Sequence, residues 1–185
     1  DSASSEIAKW TVVKEDASDG VFMSVWGASD DDIWIVGGQF DQGKILRGST
    51  DTWITMDTPE GIPLLNWVHG TSSDDVWVGG LSGTLLHWNG TSWTDRSLGI
   101  EEAIWGVYVS SNVTTVVGGE SRWGGENAVL YSCDLTSCFP QQLPLELEGL
   151  GNLYKVGHTG SDFWAIGASG AAVRSTQDGW VAVPT

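Results

Sequence analysis

The side chains best able to do chemistry in this 185-residue chain are its three histidines, His69, His87 and His158. Neutral imidazole is the commonest side-chain metal ligand, and two imidazoles converging in a cleft most readily make a copper or zinc site. No histidine recurs at an equivalent place elsewhere in the sequence. His69 and His158 each sit in a run that alternates apolar with small or polar residues. By that alternation Trp67, His69, Tyr154, Val156 and His158 share one parity, so both histidines are expected to face the same channel or its mouth. His87 lies in a separate strand and can point toward that site or away from it. The structural alternative is that His69 and His158 are hydrogen-bonded core histidines on separate strand pairs.

The remaining reactive groups are fewer. Cys133 and Cys138 are separated by four residues on an expected hairpin, which suits a small-loop disulfide and hence an oxidising compartment. No second cysteine pair is present to complete a tetrahedral zinc site. Asp30-Asp31-Asp32 and Asp74-Asp75 are oxygen-rich clusters of the kind calcium accepts. Because the Asp-Asp element repeats, a role in the turn accounts for it, and a calcium bound there would be structural.

The elements that must position these groups repeat about four times. Each copy reads as an apolar strand, an Asp-Asp-(Ile/Val)-Trp element, a glycine-rich turn, another strand and a closing Trp. Copy one carries Trp26, Asp31-Asp32-Ile33-Trp34 and Trp53; copy two carries Trp67-Val68-His69, Asp74-Asp75-Val76-Trp77 and Trp93. Copy three, around Trp105 and Val116-Val117-Gly118-Gly119, is degenerate, and copy four carries Asp162-Phe163-Trp164 and Trp180. Trp34 and Trp77 lie 43 residues apart, a period that with four short strands per unit marks propeller blades. The expected fold is all-β, a propeller-like array of about four tandem four-stranded repeats spanning 9–185, behind a loose polar segment 1–8. Gly37-Gly38, Gly79-Gly80 and Gly118-Gly119 are expected to supply positive-φ turns. The segments ending at Trp53, Trp93 and Trp180 resemble degenerate Asp-box hairpins of sialidase-type propellers. Trp10-Thr11-Val12-Val13 resembles a closing strand that seals a ring or caps an edge. Four copies are few for a closed ring, so a four-bladed propeller, a flattened variant and a ring completed by a second chain are all open.

Composition fits this scaffold. There are 12 Trp and 25 Gly with 17% charged residues, and the net charge is -16. That charge argues against nucleic-acid and anionic-membrane partners. No apolar run approaches the length of a membrane span. The sequence opens Asp1-Ser2-Ala3-Ser4-Ser5, without an initiator Met or an apolar signal core, as a mature or trimmed product would. Secretion or display on the outer cell surface is expected.

The repeat architecture, the acidic character and the tripeptide Trp67-Val68-His69 resemble the MopE/CorA copper-binding surface proteins of methanotrophic bacteria. The resemblance implies a copper ion held by two histidines and by kynurenine, formed by oxidation of the Trp in Trp-x-His. Such oxidation has a chemical reason, since an indole N–H offers no lone pair to a metal while kynurenine exposes an aromatic amine. Carried over, Trp67 is the modified ligand and His69 the first histidine. His158 is the second by parity, with His87 in reserve. Few nitrogen ligands favour Cu(I), and the implied role is copper capture or storage without turnover.

Two other functions compete. A carbohydrate-binding or adhesion propeller would stack sugars on exposed Trp such as Trp88 and Trp123. A sialidase-like glycosidase would need clustered arginines and a carboxylate pair. Arg47, Arg96, Arg122 and Arg174 are scattered along the repeats, and Glu101, Glu102, Glu120 and Glu126 sit in no recognisable catalytic setting. No nucleophile elbow, phosphate loop or zinc-protease motif is present.

Overall fold

The computed structural model describes residues 9–15, 17–110, 113–120, 127–149 and 151–184. The N-terminal segment 1–8, Arg122, Trp123 and Glu126 lie outside the described residues. Among the described residues sixteen strands form four antiparallel four-stranded sheets, each a meander of consecutive strands. Blade 1 is β1 (Val21–Ser29), β2 (Asp32–Gln39), β3 (Gln42–Gly48) and β4 (Trp53–Thr55). Blade 2 is β5 (Leu65–Ser72), β6 (Asp75–Gly80), β7 (Leu85–Trp88) and β8 (Trp93–Asp95). Blade 3 is β9 (Ala103–Val109), β10 (Thr114–Gly119), β11 (Val129–Cys133) and β12 (Cys138–Pro140). Blade 4 is β13 (Leu153–Thr159), β14 (Asp162–Gly167), β15 (Ala172–Thr176) and β16 (Gly179–Ala182). Among the described residues the irregular connection around Pro140 and Pro144 carries a short 3₁₀ turn at Leu145–Leu147.

A lone four-stranded sheet buries neither face, so each blade depends on its neighbours. Successive inner strands pack together, β1 on β5, β5 on β9 and β9 on β13. One blade's front row, such as Trp34 and Val36, meets the next blade's back row, such as Val68, Val76 and Val78, in an apolar layer. Equivalent layers join blades 2 and 3 around Trp77, Ile104 and Val107, and blades 3 and 4 around Val117, Val156 and Ala165. Among the described residues β1 and β13 do not pack together as consecutive inner strands do, so the array is an open arc. The sealing strand expected at Trp10–Val13 does not form: residues 9–15 carry no strand, and Trp10 is fully exposed.

The paired glycines have a different purpose from the expected one. Of the six in the Gly-Gly turns, only Gly38 has a positive φ. The column Gly37, Gly80, Gly118 and Gly167 instead lies beside a register shift between the first two strands of each blade. A Cβ on Gly118 would lie 2.0 Å from the Ala103 carbonyl oxygen, and one on Gly37 would lie 1.8 Å from that of Val21. Close backbone approach at a bulge, not turn geometry, therefore selects glycine here.

A cleft beside Trp77 and the placement of the histidines

The strand register reveals a unit that repeats in three blades. In blade 1 the Arg47 guanidinium donates to both Asp32 carboxylate oxygens, at 2.6 and 3.0 Å, and lies 4.6 Å from the Trp34 ring centre. In blade 4 Arg174 donates to Asp162 at 2.8 Å beside Trp164. Burial works against the charged form of Asp32, yet hydrogen bonds from Arg47 and Ser73 outweigh it and hold its carboxyl below the usual range. The Arg174 hydrogen bond does the same for Asp162.

His87 fills the arginine position in blade 2. It pairs across the strands with Trp77, as Arg47 pairs with Trp34 and Arg174 with Trp164. Its Nε2 lies 2.9 Å from Asp75 Oδ1, and its ring stacks on Trp77 with centroids 4.4 Å apart. No second histidine occupies this position, as expected, but the position itself belongs to the repeat and carries Arg47 and Arg174 in blades 1 and 4. The same unit explains the Asp-Asp turns, because Asp32, Asp75 and Asp162 each hold the cationic or imidazole group across the sheet. Among the described residues no three His, Cys, Asp or Glu side chains come together to hold a metal.

Trp67 and His69 share one face of β5 and turn toward blade 3, as alternation requires. Trp67 Nε1 donates to the Val107 carbonyl at 2.9 Å, and Lys155 Nζ lies 3.6 Å from the Trp67 ring centre. His69 Nδ1 accepts the Val109 backbone N–H at 3.0 Å, and its ring stacks 4.5 Å from that of Tyr108. Burial pushes the His69 pKa down, with Asp75 partly opposing. The neutral tautomer that accepts at Nδ1 carries its proton on Nε2. A metal-bound histidine ordinarily donates through its second nitrogen; here that nitrogen accepts. As arranged, His69 presents no free lone pair, and coordination would require breaking its bond to Val109.

The parity expected for His158 is corrected by the register. Blades 2 and 4 share the bulge after their first residue, Leu65 or Leu153, and the pairing beyond it sets Lys155, not Tyr154, in the Trp67 column and Gly157 in the His69 column. His158 pairs with Phe163 and falls on the opposite face of its blade. His69 and His158 therefore approach Tyr108 from different blades, with His158 and Tyr108 centroids 6.0 Å apart. Trp67 and His69 are brought together; His87 belongs to a separate unit beyond Trp77.

The disulfide joins Cys133 to Cys138 across β11 and β12. By register these two positions correspond to Trp88 and Trp93 of blade 2, also a cross-strand pair. Between blades 1 and 2 that tryptophan pair packs on Trp34, with ring centroids 6.0 and 5.8 Å away. Between blades 2 and 3 the smaller disulfide faces Trp77 instead. A cleft of about 530 Å³ lies there; Trp77, Val109 and Cys133 are buried at its floor, and Leu135 is exposed at its edge. Asp74, Asp75 and Asp134 contribute to its lining. The turns at its rim are fixed: Asn89 Oδ1 accepts the Thr91 and Ser92 N–H groups, and Asp134 Oδ1 accepts those of Thr136 and Ser137. Reading the residues for chemistry misses this site, because it arises from missing bulk; comparing Trp88/Trp93 with Cys133/Cys138 was the available signal.

Other candidates disperse. Trp88 is buried against Trp34 and Trp93 and offers no sugar platform. Arg47 and Arg174 are ion-paired in separate blades, and Arg96 donates to the Thr136 carbonyl.

No known protein family matches the chain, and no curated protein matches it. Solved structures do. YCF48 bound to D1 peptide aligns at 17% identity and a TM-score of 0.58, over 86% of this chain and 51% of that one. The WD40 β-propeller domain of Doa1 aligns at 11% identity and 0.63, over 91% and 55%. YCF48 from Cyanidioschyzon merolae aligns at 16% identity and 0.62, over 96% and 60%. At these identities the likeness is one of fold: the chain has a β-propeller architecture and spans between half and three-fifths of those chains.

Proposed function

We propose that this protein is a non-enzymatic binding module of the outer surface or secreted space, which holds a peptide segment in the cleft beside Trp77. The observation that carries the reading is the substitution of a disulfide for the repeat's tryptophan pair beside an open cleft, whose floor covers the buried Trp77, Val109 and Cys133 and whose edge carries the exposed Leu135. Concave, mostly apolar sites with a few polar groups are where proteins hold ligands. The acidic lining and the net charge of -16 favour a ligand with an apolar or aromatic side chain flanked by Lys or Arg. YCF48, a propeller of similar fold, has been captured with a peptide. The disulfide suits an oxidising compartment.

The test is calorimetric titration with two pools of capped peptides that share central Phe, Tyr, Trp or Leu. One pool is flanked by Lys and Arg, the other by Glu. Saturable binding of the basic pool alone is expected, with loss in Asp74→Lys and in the double substitution Cys133→Trp/Cys138→Trp, which restores the bulk of blade 2. Equal binding of both pools, or none, would sink the proposal.

A second reading, copper capture, is favoured by Trp67 and His69 lying side by side on one face with His69 held toward its neutral form. It needs the Val109 bond to His69 to open. Elemental analysis after copper loading and desalting, with peptide mass analysis of Trp67, tests it. One retained copper per chain, lost in His69→Ala, would favour this reading; no retained copper with an oxidised Trp67 would end it.

A further inference from the structure

The two ends of the arc expose faces that the repeat buries everywhere else. On the back face, Val68, Val107 and Val156 are 2%, 0% and 9% exposed, while their blade 1 equivalent, Val25, is 66% exposed. Ile33 and Ile35 of blade 1 are also partly open, although their blade 2 equivalents Val76 and Val78 are fully buried. On the front face, Val36 and Val117 are fully buried, while their blade 4 equivalent, Ile166, is 53% exposed. Trp34 and Trp77 are buried; Trp164, in the same column, is only partly so.

These surfaces match in kind. The open front of blade 4 is the type of face that receives a following blade, and the open back of blade 1 is the type that covers a preceding one. We infer that a second copy of this chain closes the ring, with the back of its blade 1 seated on the front of blade 4 here, and the reverse contact made by the same two-fold. In each contact Trp53 of one copy would cover Trp164 of the other, as its equivalent Trp93 covers Trp34 within the chain, with Ile33 beside it in the place of Val76. Val25 and Ile35 would meet Ile166. The interface therefore continues one that the chain already makes three times. The result is an eight-bladed ring, within the size range of propellers. A head-to-tail contact can close into a ring or run on as an open filament. Because each copy carries a charge of -16, added salt should strengthen the association by screening.

Sedimentation equilibrium across a range of protein concentrations tests this. The expected species is twice the 19.8 kDa chain mass, favoured by salt, with at least a tenfold weaker association in Val25→Asp and in Ile166→Asp. Both side chains are exposed in the single chain, so circular dichroism should report an intact fold. Mixing the two variants should restore part of the association, since one unmodified contact remains in the mixed pair. A monomer at every concentration, an open-ended filament, or a dimer indifferent to both substitutions would overturn the inference.

Discussion

The sharpest energetic prediction compares one column of the repeat in two environments. Val68 and Val25 occupy the same place in blades 2 and 1, yet Val68 is 2% and Val25 66% exposed. Val68→Ala removes two buried methyl groups, worth about 0.8 kcal/mol each. The space left among Trp34, Val36 and Val78 is not refilled by so dense a layer, which brings the cost to about 2 kcal/mol. For a chain of this size that corresponds to a fall in Tm of roughly 4–8 °C. Val25→Ala leaves a largely hydrated position and should cost under ~0.5 kcal/mol at a protein concentration too low for association. Urea denaturation with the disulfide intact reads both values. Equal losses, or a negligible loss for Val68→Ala, would refute the open-arc description.

The other predictions concern backbone, ion pairs and pH. Gly118→Ala places a Cβ 2.0 Å from the Ala103 carbonyl oxygen and should destabilise by more than ~2 kcal/mol; Gly157→Ala meets nothing within 4 Å and should be tolerated, as paired thermal melts would show. Asp32→Asn should lower Tm more than Asp162→Asn, since Asp32 is buried and bonded twice to Arg47, while Arg174 is the more exposed partner. Burial lowers the His69 pKa from its ordinary 6.5, so the unfolded chain binds that proton more readily than the folded one. The stability His69 confers is present above about pH 6.5 and falls as pH drops from there through the folded pKa. Denaturation curves between pH 8 and 5 should be flatter in His69→Gln; an unchanged slope would contradict the buried neutral imidazole.

Much of the architecture was legible because the Asp-x-Trp element recurs at Trp34, Trp77 and Trp164 and marks the second strand of three of the four blades. The parity of His158 is misread when Tyr154 is set opposite Trp67; strand pairing sets Val156 opposite Val68 and Lys155 opposite Trp67, and a shift of one residue reverses every face. The place of His87 was legible in part: it lies ten residues after Trp77, as Arg174 lies ten after Trp164, while Arg47 lies thirteen after Trp34 and is matched to them only by strand pairing. The disulfide was read correctly from spacing alone. Its consequence, the cleft, needed the knowledge that Trp88 and Trp93 stand in the same two places.

The binding account is tested most directly at the Trp77 indole N–H, which donates to Asp75 at 3.1 Å on the cleft wall. Its nitrogen-15-correlated resonance, assigned by loss in Trp77→Phe, should shift saturably with the basic aromatic peptides while the Trp67 indole stays unmoved. Shifts confined to Trp67, or absent from both at peptide concentrations that saturate binding by calorimetry, would contradict the assignment of the cleft as the binding site.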